Sequence, residues 1–186
     1  MRWRLVALAG LALASATARA AEPTIADFEG AWQGTELRVS GDAQDLALEP
    51  EHLDVQIESG AAGFRISWTG LARQAGGDLA RHKFDARFDL TDRPGVYAFE
   101  PGETSFFGLF ADPATGNPLE GETLLWARLA GRTLTVYNLS ITFDGGFDLD
   151  RYARTLSGDG MDVHYTHRME NNRVVTIEGR LKRKGG

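Results

Sequence analysis

Residues 81–90, "RHKFDARFDL", constrain the fold more than any other stretch. Arg81, Lys83, Asp85, Arg87 and Asp89 alternate with His82, Phe84, Ala86, Phe88 and Leu90. A strict period of two sends successive side chains to opposite faces, so this segment reads as a strand with one wet and one dry face. The same alternation recurs in "HLDVQIES", "GFRISWTG", "MDVHYTHRM" and "VVTIEGRLKR". The dry faces carry Leu53, Val55 and Ile57; Phe64, Ile66 and Trp68; Met161, Val163, Tyr165, His167 and Met169; and Val175, Ile177, Gly179 and Leu181. One dry face per strand fits an antiparallel sheet closed or folded on itself. Short Gly- or Asn-rich segments ("ESGAAGF", "QAGGD", "AGRT", "FDGGF", "SGDGM", "ENNR") separate the runs and suit hairpins. The expected fold is all-β: an antiparallel up-and-down barrel of about nine or ten strands. A β-sandwich is the alternative.

Two segments depart from this rule. In "LTVYNLSITF", Leu134 and Val136 share one face while Tyr137, Leu139, Ile141 and Phe143 take the other. Either a β-bulge near Tyr137 or Asn138 reconciles them, or the strand is apolar on both faces. Residues 91–123 carry four of the six prolines together with Phe106, Phe107, Leu109 and Phe110. A long Pro/Gly-rich connection so rich in aromatics reads as a structured excursion over one barrel end, with Phe106 and Phe110 as part of a lid.

The first twenty residues have the order of a secretory signal: Arg2 and Arg4, the apolar run Leu5 to Ala14, then Ala18-Arg19-Ala20. Residues 1–20 are therefore expected to be removed, leaving 21–186 as one domain in the periplasm or secreted. The run is too short to span a bilayer, and no other segment is long and apolar enough. Without cysteine there is neither a lipid attachment site nor a disulfide, so the core must supply the stability. The whole chain carries −6; without the leader's three arginines, 17 basic residues face 26 acidic ones, giving −9. Such a surface argues against nucleic acid and anionic membranes as partners. An outer-membrane barrel is excluded by the charged faces, which would meet lipid.

"DFEGAWQGTEL" opens the expected domain and places Phe28, Gly30 and Trp32 on one face by parity. Glycine there admits a bulky neighbour. This Gly-x-Trp resembles the first motif of lipocalins and other calycin-type barrels. The resemblance implies a basic residue beyond the last strand packing across Trp32: Arg183 by parity, with Arg180 second. "TDRPGVY" is loosely similar to that family's second motif. Together with "GGF", "WARLAGRTLTVY" and "IEGRLKR", it also resembles a group of uncharacterised exported bacterial proteins. That likeness implies a shared fold and an envelope location and carries no activity.

Chemistry is sparsely signalled. His164 and His167 fall on opposite faces of one strand and make a poor metal pair. His82 and His167 fall on dry faces, with Tyr165 beside the latter, and could orient a polar ligand group. "DGGFDLD" lacks the order of a calcium loop, and reads as a hairpin whose Asp148 and Asp150 lie on the wet face with Phe147 and Leu149 inside. There is no G-x-S-x-G, H-E-x-x-H, P-loop or G-x-G-x-x-G. No metal or cofactor is expected, and no enzyme.

Three functions remain. The first is a barrel that binds a small hydrophobic or amphipathic molecule through Phe64, Trp68, Phe84, Phe88, Trp126 and Tyr137, with His82, Tyr165 and His167 as polar groups. Its affinity would come from apolar burial at roughly 25 cal/mol per Å² before ordering costs. The second is an envelope protein-interaction module with a filled core and Phe106 to Phe110 as its contact patch. The third is a lipocalin-like enzyme. An interior void on the order of several hundred Å³ separates the first from the second.

Overall fold

A computed structural model describes residues 23–35, 37–41, 48–74, 79–100, 116–169 and 173–185. The expected signal peptide and the Phe106 to Phe110 cluster lie outside these residues. After a single-turn helix α1 (Ile25–Phe28), eleven strands follow: β1 (Gly30–Gly34), β2 (Arg38–Gly41), β3 (Leu48–Ser59), β4 (Gly63–Gln74), β5 (Leu79–Leu90), β6 (Val96–Glu100), β7 (Leu124–Ala130), β8 (Thr133–Ile141), β9 (Phe147–Ser157), β10 (Gly160–Met169) and β11 (Val174–Arg183). From β3 to β11 each strand pairs antiparallel with the next. β1 pairs with β3 on one side and β11 on the other, which closes the sheet. β2 also pairs with β11, so β1 and β2 are two pieces of one interrupted strand. The result is a closed ten-stranded antiparallel up-and-down barrel. Closure through β1 removes most of the free strand edge that an open sheet would present.

Break and closure together leave a seam. β1 covers β3 only from Leu53 to Ile57. Among the described residues, β2 makes no ladder with the earlier half of β3. The described bulge of the barrel also lies there, between Pro50 and His52. β8, where a bulge was one of two expectations, keeps continuous register with both neighbours. It is apolar on both faces instead: Leu134 and Val136 are buried inside, while Tyr137, Leu139 and Ile141 are half-buried outside.

The two ends of the barrel differ. Connections 60–62, 91–95, 131–132 and 158–159 are tight turns gathered at one end. In the second, the Thr91 hydroxyl donates to the Val96 carbonyl and Gly95 takes φ 71°. The same end is floored by Phe28 of α1, fully buried and part of one core cluster with Ile57, Ile66, Phe88 and Met161. Phe64 stacks on Phe88 at 5.2 Å and meets Tyr97 edge-on at 5.1 Å. Such pairs add about 0.5–1.5 kcal/mol each beyond their area burial.

The opening motif sits in this floor. The Trp32 indole Nε1 donates to the Phe28 carbonyl at 3.0 Å, and the Arg183 guanidinium lies 4.3 Å over the indole ring. Arg183, rather than Arg180, therefore fills the expected role. Its Nη1 also donates to the Glu29 carbonyl. Gly30 has φ 125°, and a Cβ there would come within 2.5 Å of Arg183 Nη1. Gly30, Trp32 and Arg183 thus form one unit, in which glycine supplies both the backbone angle and the room.

Candidate functional site

Midway along the barrel the packing changes from filled to open. Trp68 of β4 stands opposite Phe84 of β5, and the rings stack at 3.6 Å. One step towards the other end, Gly70 stands opposite His82. A Cβ on Gly70 would meet nothing within 4 Å. On the facing wall Tyr152 of β9 pairs with Tyr165 of β10, and Arg154 pairs with Val163. Tyr152 stacks on Tyr165 at 4.8 Å and reaches Trp68 at 4.7 Å. These groups enclose a cavity of about 100 Å³, whose apolar walls include Leu37, Leu53 and Leu71 beside the seam.

Two polar assemblies face this interior. The first centres on Asp150, which is 4 % exposed. Its carboxylate accepts hydrogen bonds from the Tyr165 hydroxyl at 2.7 Å and the Asn138 amide at 3.3 Å, and lies 2.8 Å from His167 Nδ1. Burial pushes the Tyr165 phenol far above its ordinary value, and the charge of Asp150 adds to that, so it remains a neutral donor. Burial works against the charged His167 imidazole, yet the bond to Asp150 and its negative charge outweigh that and raise its pKa.

The second assembly is Arg154, 2 % exposed. Its guanidinium lies 4.5 Å over the Trp68 ring, on the cavity wall. Nη1 donates to the Tyr152 carbonyl at 3.3 Å; Nε has no partner. No carboxylate of the described residues is ion-paired with it. Burial pushes its pKa down to about 10, which still leaves it charged at neutral pH. His82 Nε2, also on the wall, is buried without a partner, and burial lowers the imidazole pKa.

Of the residues expected to bind ligand, Trp68, His82 and Tyr165 line the cavity. Phe84 lies beneath Trp68, whereas Phe64 and Phe88 belong to the filled end. His167 belongs to the Asp150 assembly. Trp126 and Tyr137 correct the expectation of an inward pair. They stack on each other at 4.8 Å, but the inward positions of β7 are the buried Leu125 and Ala127, so both rings lie outside the barrel. Asp148 and Asp150 are a second correction. Phe147 and Leu149 point outward, and Asp150 points in. His164 is outside, paired with Glu178 at 2.9 Å. No group of three or more His, Asp or Glu among the described residues is arranged to hold a metal.

The sequence pattern leaves Arg154, Tyr152 and Asn138 out of the site and turns Asp150 outward, so all four are gained only from the structure. A signal for three of them was available: a two-residue turn at Gly158-Asp159 sets the register that brings Asp150, Tyr152 and Arg154 opposite the dry face of β10. Fold and cavity define a closed β-barrel with an internal chamber. No protein-family model and no curated protein matches the chain.

Proposed function

We propose that this barrel is an exported binding protein for a small hydrophobic or amphipathic molecule held in its interior, binding without chemical turnover. The calycin-type motif at Gly30, Trp32 and Arg183 supports that kinship by its geometry. The observation that carries the reading is the aromatic chamber bounded by Trp68, Tyr152 and Tyr165, kept open by Gly70 directly after the inward-facing Phe64, Ile66 and Trp68 of β4. At about 100 Å³ it is smaller than the roughly 300–1,000 Å³ of sites for drug-sized ligands. It fits a small group, or one end of a longer molecule whose remainder leaves along the seam.

Native mass spectrometry of the gently purified protein, followed by organic extraction, is the direct test. A small molecule released on denaturation supports the reading. A clean apo mass, together with no uptake of the neutral dye Nile red, overturns it. It would favour the rival reading of an interaction module, which draws on the solid packing of the floored end. Gly70→Leu sharpens the test: it fills open space at an ordinary backbone angle, so folding should be unchanged and dye binding reduced at least about tenfold.

A further inference from the structure

A cation without a counter-ion is the least economical feature of this interior. A buried arginine loses its hydration without return unless it is paired and hydrogen-bonded. Arg154 has one long bond to a carbonyl, an unpartnered Nε and no paired carboxylate among the described residues. The buried acid nearest along its own strand, Asp150, already serves Tyr165, His167 and Asn138. The positive charge is therefore not answered by the part of the fold described. Resting on the binding reading above, we propose that Arg154 receives the anionic end of the ligand, a carboxylate, at the inner wall of the cavity.

Geometry supports a planar, singly charged group. The Arg154 Cζ lies 4.5 Å over the Trp68 ring centroid, and with Nη1 on the Tyr152 carbonyl and Nε unpartnered, part of the guanidinium fork is uncommitted. A carboxylate matches such a fork with two parallel bonds. A doubly charged phosphate monoester would keep one charge uncompensated among the apolar walls of Leu53, Leu71 and Val163. His82 Nε2 offers a further unpartnered polar atom on the same wall. The apolar remainder of the ligand would lie against Leu37 and Leu53, where the seam between β2 and β3 interrupts the ladder. The overall charge of −6 gives an anion no long-range attraction, so selectivity must arise at this contact.

The test is displacement of Nile red at neutral pH by decanoate, decanol and decyl phosphate, three probes sharing one chain length. The expected result for the wild-type protein is decanoate at least about tenfold tighter than decanol, the effect of a charge-assisted pair in a dry site. Decyl phosphate should bind less well than decanoate. Arg154→Met should bring decanoate down to decanol while leaving decanol unchanged, and Arg154→Lys should fall between. Equal binding of decanoate and decanol by the wild-type protein overturns the assignment whether or not the variants fold. So does a preference that survives Arg154→Met, and a tighter decyl phosphate overturns the choice of carboxylate. In each of these cases the binding reading stands. If none of the three displaces the dye and no other ligand is found, both fall together.

Discussion

In the barrel two arginines lie over tryptophan rings at nearly equal distances, 4.3 Å for Arg183 on Trp32 and 4.5 Å for Arg154 on Trp68. Their surroundings are opposite. Arg183 is exposed, donates to the Glu29 carbonyl and covers a buried indole that is itself bonded to Phe28. It keeps its hydration on the outer side, so its charge costs little. Arg154 has the same kind of ring partner and almost no water. The first pair closes a floor. The second puts a charge where the rest of the wall is apolar. The same residue pair serves stability at one end and is costly at mid-barrel, which is the pattern expected where a binding site is maintained against stability.

The strongest way to break the comparison is through the tryptophan of the floor. Trp32 is 3 % exposed and fills the space between α1, β3 and β11. Trp32→Ala should cost about 3–5 kcal/mol, from lost burial plus a cavity too well framed to collapse. Urea denaturation measures it. A loss below about 1 kcal/mol would show that the floor is not held by this residue. Gly30→Ala should come next, at about 1–3 kcal/mol, because a left-handed backbone angle is strained for alanine and its Cβ would press on Arg183. Relieving the contact with Arg183→Met in the same chain should recover only part of this, since the angle remains.

The arginines themselves give the sharpest test, because the expected signs differ. Arg183→Met should lower stability by about 1 kcal/mol, the worth of an exposed cation–π contact and one hydrogen bond. Arg154→Met should raise it by about 1 kcal/mol, because an unpaired buried charge is exchanged for an apolar side chain of similar length. Thermal melts of the two variants against the wild type decide it. Should Arg154→Met destabilise the protein more than Arg183→Met does, the guanidinium is structural and the contrast collapses.

How far these features could be read from sequence follows the same division. The floor was legible: period-two runs set the strands, short turns set their order, and Gly30, Trp32 and Arg183 fell on one face by parity. The site was legible in part. Trp68, His82 and Tyr165 stand on strands with a clean dry face. β9 has no such face, since Phe147 and Leu149 argue for one side while Asp150, Tyr152 and Arg154 occupy the other. Assigning the apolar pair to the core is the right default for a filled barrel, and it fails where the interior is built to hold polar groups. Trp126 and Tyr137 mislead for the converse reason: large aromatics also occur on the outside of a sheet, where these two stack on each other.

The finest distinction lies between the two inward histidines, whose opposite surroundings give opposite pH dependences. His167 is drawn above its ordinary value of 6.5: burial opposes the charge, but Asp150 outweighs it. The folded state therefore binds the proton more tightly than the unfolded chain. This stabilisation is complete below pH 6.5 and is lost as pH rises through the folded pKa. His82 meets burial alone, and its pKa falls below 6.5. Its contribution is complete above pH 6.5 and is lost as pH falls through the folded value. Urea midpoints recorded from about pH 5 to pH 8 should accordingly show two separable limbs. His167→Asn should flatten the alkaline limb and His82→Phe the acid one, each relative to the wild type. If His82→Phe leaves the acid limb intact, the imidazole is not desolvated by the chamber, and the chamber is more open to water than an apolar binding site allows.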